Sequence, residues 1–213
     1  MTPRRALILV DLQNDFVPGG ALAVRGGDAV VPIANRLQPA FDLIVASKDW
    51  HPRDHGSFAV NHASRRIGEV IDLNGLPQVL WPAHCVQGTP GAEFVPGLDT
   101  SRVEKVFHKG IDPGIDSYSA LFDNGHRRST GMGEHLRGRG VSTVYLCGLA
   151  TDYCVKFTAL DARQAGFDVV VIEDACRGID LQPGDSAAAL DAVRRAGGHV
   201  VQSGQVPAQQ PGT

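Results

Sequence analysis

The sequence predicts a single α/β domain, a doubly wound, Rossmann-like and mostly parallel six-stranded sheet with helices on both faces. Three observations predict it. Six short runs are apolar at consecutive positions, as strands covered on both faces must be. Segments of helical length and spacing separate most of them, and that alternation implies right-handed βαβ units. The length of 213 residues suits one domain that buries about 70% of its unfolded surface without a covalent staple.

The strands are expected over residues 6–10 (Ala-Leu-Ile-Leu-Val), 43–46, 103–107, 144–147, 169–172 and 199–201. Helices are expected over 28–40, 130–138, 152–165 and 185–196. Asp152 and Asp185 stand where acidic or capping residues favour a helix start. Gly166 and Gly197 follow the last two helices as C-terminal caps should. Residues from about 51 to 100 break the rhythm, with many Gly, Pro, His and Asn and no sustained period. So long a stretch without elements is expected to be a functional, ordered loop over the sheet. The domain is expected to span 1–203, with a Pro- and Gly-rich tail, 204–213, that frays.

Composition excludes several function classes. An apolar share of 43% with 20% charged residues is globular rather than disordered. The formal charge of −3, without a basic run, argues against a protein that binds nucleic acid through its phosphates. No apolar stretch approaches the ~20 residues that cross a bilayer, and no signal peptide is read at the start. Four scattered cysteines fit a reducing, cytoplasmic compartment better than a disulfide framework.

Ligands of open α/β sheets bind beyond the carboxyl ends of the strands, so the residues there matter most. The first strand ends in Asp11, the second in Lys48-Asp49-Trp50-His51, and the third in His108-Lys109. The fourth leads to Gly148-Leu149-Ala150-Thr151-Asp152-Tyr153-Cys154. Four strands thus bring a carboxylate, a ligand pair, an ammonium and a thiol to one edge. A helical cysteine is usually a small packing residue, but Cys154 sits at a helix N-terminus, where free N–H groups favour thiolate. Cys147 reads as core, and Cys85 and Cys176 as structural cysteines in loop-like sequence. Asp11 could take the thiol proton, and Lys109 could pair with it. Asp15 fits a cap or turn better.

Asp49 and His51 lie two apart on extended backbone and so face one side, where they could share an ion. His84 offers a third ligand, with His55 and His62 competing for that role. Two imidazoles and a carboxylate suit zinc, iron(II) or manganese(II).

Taken in order, these residues resemble a known family. The runs Val10-Asp11-Leu12-Gln13-Asn14-Asp15-Phe16, Lys48-Asp49-Trp50-His51-Pro52 and Trp81-Pro82-Ala83-His84-Cys85-Val86-Gln87-Gly88-Thr89 are similar to those of nicotinamidase/pyrazinamidases, in the isochorismatase-like cysteine hydrolase superfamily. So are Val106-Phe107-His108-Lys109-Gly110, Asp116-Ser117-Tyr118-Ser119-Ala120 with Phe122-Asp123-Asn124, and Gly148 through Val155. The resemblance runs to about residue 203 and implies hydrolysis of nicotinamide, and of pyrazinamide, through a cysteine thioester in NAD salvage. It makes Cys154 the nucleophile, Asp11 the general base and Lys109 its charged partner. It also implies a cis bond before Ala150, with the N–H groups of Ala150 and Cys154 facing the oxyanion. Asp49, His51 and His84 would hold one divalent ion, zinc first and iron or manganese next, with Ser57 nearby but not a ligand. Phe16 and Trp81 would flank the pyridine ring, and Tyr118 would close the pocket. Homo-oligomers are usual in such a family. The competing readings are a cysteine amidohydrolase acting on a carbamoyl or ureido compound, which would need no ring-binding ion, and an inactive metal-binding scaffold.

Overall fold

The computed structural model describes residues 4–208. Its central sheet has six strands, all paired in parallel: β1 (Arg4–Val10), β2 (Leu43–Asp49), β5 (Lys105–Lys109), β6 (Val141–Leu149), β7 (Asp168–Arg177) and β8 (His199–Val201). Their spatial order is β5-β2-β1-β6-β7-β8. The chain therefore starts in the middle, winds out to one edge, returns, and winds out to the other. The reversal of direction falls between β1 and β6, the place where open sheets of this kind hold ligands.

Alternation along each strand feeds two cores. Ile8, Val10, Val45, Leu146 and Val171 pack on one face with helices α2 (Met132–Gly138), α3 (Lys156–Gln164) and α4 (Asp185–Arg195). Leu7, Leu9, Ile44, Cys147 and Ile172 pack on the other with α1 (Val31–Leu37). Full burial of each such side chain contributes about 1.5–3 kcal/mol, so both faces must be covered, and both are. Gly148 is fixed by the same tight pairing. Its φ is +132°, and a Cβ there would lie 2.0 Å from the carbonyl oxygen of Val10.

Several boundaries differ from expectation. Strand β5 starts two residues later than expected, so His108 and Lys109 are its last residues rather than the turn after it. Strand β7 runs on to Arg177, which places Cys176 inside a buried strand and not in a loop. Both acidic residues do stand in a first turn, as expected, but without capping it: Gly184 precedes α4 with Asp185 in the first turn, while the carboxylate of Asp152, in the first turn of Thr151–Val155, accepts the Ile179 and Asp180 N–H groups (3.0 and 2.7 Å). Gly166 and Gly197 do close α3 and α4 with positive φ.

The stretch expected to lack elements contains a hairpin, β3 (Val70–Leu73) and β4 (Leu76–Val79). Its turn is Asn74-Gly75, both with positive φ, the chemistry a two-residue hairpin turn requires. The signal was in the sequence, but the strands are four residues each, with one buried residue between them, too short for alternation to register. The tail expected to fray is held at its start: Gly204 and Gln205 complete a 3-10 turn with Ser203, and Arg5 donates to the carbonyls of Pro207 and Ala208. Residues 209–213 lie outside the described residues. No helix among the described residues is long and apolar enough to cross a membrane.

Candidate active site

Four neighbouring strands converge at the reversal point. Register places Asp49, the last residue of β2, directly beside Lys109, the last of β5. Asp11 follows β1 with φ +47°, a left-handed turn that aspartate tolerates better than most residues, closed by the Gln13 N–H on the Asp11 carbonyl (2.8 Å). Beyond β6 the Leu149–Ala150 peptide is cis, and the chain then makes one wide π turn, Thr151–Val155. The Val155 N–H reaches the Ala150 carbonyl (3.1 Å), and Cys154 lies within this turn.

The Lys109 ammonium is the hub. It donates to Asp49 Oδ1 (2.5 Å), Ser117 O (2.9 Å) and Cys154 Sγ (3.4 Å), and it pairs with Asp11 Oδ2 (2.9 Å). The other Asp11 oxygen accepts the Ser47 hydroxyl (2.6 Å). All these groups are buried, so each charge must be stabilised by its neighbours. Burial works against an ammonium at Lys109, but Asp11 and then Asp49 outweigh it and hold its pKa well above the ordinary value. Burial raises the Asp11 carboxyl, against the pull of Lys109. It also pushes the Cys154 thiol well up, with Lys109 opposing, so the resting sulfur carries its proton. Reactive oxygens of Asp11 and Asp49 and the Cys154 sulfur all lie within 4.8 Å of one another.

A second cluster shares Asp49. Its Oδ2 lies 3.6 Å from His51 Nε2 and 3.7 Å from His84 Nε2. The opposite ring nitrogens face carbonyls, His51 Nδ1 on Gly110 O (2.9 Å) and His84 Nδ1 on Pro82 O (2.8 Å). A carbonyl cannot donate, so each ring carries its proton on Nδ1 and presents the Nε2 lone pair toward the same carboxylate oxygen. Three converging lone pairs, with their rings oriented by backbone carbonyls, suit a divalent cation. Gly110 has φ +63°, and a Cβ there would lie 2.2 Å from the His51 ring, so glycine is required for that support.

Of the competing histidines, His62 is apart, with Nε2 on Gly56 O (2.7 Å). His55 is inside, its ring 4.3 Å from that of His51 and its Nδ1 2.7 Å from Ser57 Oγ. Burial and then His51 push the His55 pKa down to about 4. Phe16, Trp81, Tyr118 and Ala150 line one cleft with Asp49, His84 and Cys154. The Phe16 and His84 rings are 5.5 Å apart, and Trp81 Nε1 donates to the Tyr118 hydroxyl (3.3 Å). Asp15 ties loops together through the Cys85 and Ala21 N–H groups (2.7 and 3.2 Å).

Three residues of this arrangement escaped the sequence reading. Gln13, fully buried, spans β2 by accepting the Asp49 N–H and donating to the Asp49 and Ala92 carbonyls (2.8, 2.8 and 2.9 Å). Ser47 holds Asp11. Asp116 lines the cleft and accepts Ser117 N–H and Gln78 Nε2 (2.8 and 3.0 Å). Only their position inward on a strand or beside a named site residue hints at them.

Residues 5–205 match the family model described as the Isochorismatase domain. The chain is 52% identical to a nicotinamidase of Escherichia coli, over 92% of this chain and 93% of that protein. Among solved structures, a nicotinamidase/pyrazinamidase of Acinetobacter baumanii superposes with a TM-score of 0.93 at 45% identity, covering 97% of this chain and all of that one. A pyrazinamidase of Pyrococcus horikoshii in complex with zinc superposes with a TM-score of 0.75 at 41% identity, covering 94% of this chain and 99% of the other.

Proposed function

Since the chain belongs to the nicotinamidases of the Isochorismatase-domain family, we propose that it hydrolyses nicotinamide to nicotinate and ammonia, and pyrazinamide likewise, returning nicotinate to NAD synthesis. The observation that carries this reading is the contact of the Asp11 carboxylate with the Lys109 ammonium and of that ammonium with the Cys154 thiol, which lines one cleft with Asp49 and His84 of the Asp-His-His cluster.

In this reading the Cys154 thiol gives its proton to Asp11, and Lys109 stabilises the thiolate as it forms. Sulfur adds to the carboxamide carbon. The N–H groups of Ala150 and Cys154 receive the oxyanion, where one such donor is worth about 3–4 kcal/mol in comparable enzymes. Asp11 then passes the proton to the departing nitrogen as the C–N bond breaks, leaving a thioester on Cys154 and free ammonia. Asp11 next takes a proton from water, which attacks the thioester and releases nicotinate and the thiol. Phe16 and Trp81 sandwich the ring and Tyr118 closes over it, so the carboxamide is held in line with sulfur before reaction.

Asp49, His51 and His84 would hold the ion, and their donor set favours zinc, with iron(II) and manganese(II) suiting the same ligands. When bound, the ion supplies a Lewis-acid contact for the pyridine nitrogen, which serves as a template for the ring.

The direct test is release of ammonia and nicotinate from nicotinamide before and after chelation, then after zinc is restored. Equimolar products, lost on chelation and regained with zinc, support the reading. Turnover of a carbamoyl or ureido compound in preference to nicotinamide, untouched by chelation, would replace it.

A further inference from the structure

A second cleft lies beside the reaction centre and shares no lining residue with the one that holds Cys154. Ile111, 46% exposed, and the exposed Arg128 stand on its solvent side, while the buried Lys109 and Ser117 form its inner end. Those two buried residues are also the partition between the clefts. Lys109 Nζ donates to Ser117 O (2.9 Å) and to Cys154 Sγ (3.4 Å), and Cys154 lines the first cleft. Asp116 and Tyr118, on either side of Ser117 in the chain, line the first cleft while Ser117 lines the second. At this point a single side chain, Lys109, stands between the second cleft and the sulfur.

The thioester chemistry needs a second route. While the acyl group is on Cys154, its ring fills the cleft walled by Phe16, Trp81 and Tyr118. Ammonia must nevertheless leave, and a water must reach the same carbonyl carbon. Each is one heavy atom, so a passage too narrow for the ring still serves both. The charge of the second cleft suits an outgoing ammonium. Asp112 and Asp123 are fixed by backbone N–H groups on their Oδ1 atoms (2.9 Å from Gly114; 3.0 and 2.8 Å from Gly125 and Arg127). They face one guanidinium, Arg128. The Lys109 charge is matched by Asp11 and Asp49, and burial and then Lys48 lower the His108 pKa, so that ring is neutral.

We propose that the second cleft is the entrance for the hydrolytic water and the exit for ammonia, parted from the acyl-enzyme by the Lys109–Ser117 contact. The ring cleft then takes in the amide and releases the acid. In the step this route serves, the water oxygen bonds to the thioester carbon. One water proton passes through Asp11 to sulfur, and the C–S bond breaks to leave nicotinic acid and the thiol.

This inference rests on the thioester reading above, and its test separates the two. The zinc-loaded wild type, Ile111→Trp, Arg128→Trp and Ile111→Ala turn over nicotinamide in hydroxylamine or in the bulkier methoxyamine, with circular dichroism confirming each fold. The readout is the ratio of trapped acyl product to nicotinate. That ratio compares nucleophiles on one acyl-enzyme, so a variant that merely slows the chemistry leaves it unchanged. Both tryptophan variants should lower the methoxyamine ratio by about tenfold and the hydroxylamine ratio by less, because a narrowed passage selects on size. Ile111→Ala should raise the methoxyamine ratio, and inhibition by nicotinate should stay within about twofold throughout. Wild-type ratios in both tryptophan variants would put the entrance in the ring cleft and overturn the inference. A wild type that yields neither trapped product would instead bring down the thioester reading itself.

Discussion

The two halves of the site meet at one carboxylate but are held by different means. Asp11, Lys109 and Cys154 ride on the ends of β1 and β5 and on the turn after β6, where parallel register dictates their spacing. His51 and His84 hang on irregular chain, stitched together by the His51 N–H on Cys85 O and the Gln87 N–H on His51 O (3.0 and 2.9 Å). Asp49 belongs to both, with Oδ1 on the ammonium and Oδ2 toward the imidazoles. On the proposed reading the difference is a division of labour: the sheet would supply the reaction centre, and the loop would supply a seat for the substrate ring. Changes on the strand tips should then fall on kcat, and changes in the loop on KM and metal content.

The sharpest way to break this division is at sulfur. Cys154→Ala should lower kcat for ammonia release from nicotinamide by at least about 10⁴-fold, since a nucleophile has no substitute in such a site. Zinc content and fold should be unchanged, checked by elemental analysis and circular dichroism. Asp11→Asn should cost roughly 10²–10⁴-fold in kcat, the usual worth of a general base, with a much smaller change in KM. On the other side, His84→Ala should lose metal and raise KM by at least about tenfold. Steady-state kinetics at saturating zinc read this, and a kcat loss equal to that of Cys154→Ala would erase the distinction.

Gln13 tests the join between the halves. Gln13→Ala leaves the Asp49 N–H and two buried carbonyls without partners. Each such group costs about 1–3 kcal/mol, so urea unfolding should show a loss of that order or more. The smallest effect is on pH. Asp11 must be ionised to take the thiol proton, and burial raises its pKa while the Ser47 hydroxyl holds it down. Activity should therefore fall as pH drops through a value above the ordinary 3.8 of an aspartate. In Ser47→Ala the restraining hydrogen bond is gone, so the acid limb of kcat/KM should move to higher pH. A limb that moves down or stays put would remove Asp11 from the role of base.

What the sequence disclosed follows the same line. Asp11, Lys109 and Cys154 were readable because each follows an apolar run, and in an open sheet that address is enough. The pairing of Asp49 with His51 was readable from spacing, but nothing periodic distinguishes His84 from His55 or His62. That choice needed either the family resemblance or the carbonyls that orient the rings. Residues that act through others left no local pattern: Gln13 reads as a turn residue, Ser47 as one more strand position, and Asp116 as loop. The Asn74-Gly75 hairpin was legible but its strands are too short to stand out against their surroundings.

The central claim, that the acyl group passes through Cys154, is tested most directly by partitioning with hydroxylamine. Added at high concentration to the enzyme turning over nicotinamide, it should intercept the thioester and yield nicotinohydroxamate at the expense of nicotinate. If nicotinate alone forms at an undiminished rate, with no hydroxamate at any concentration, water attacks the amide directly and the sulfur is not on the path.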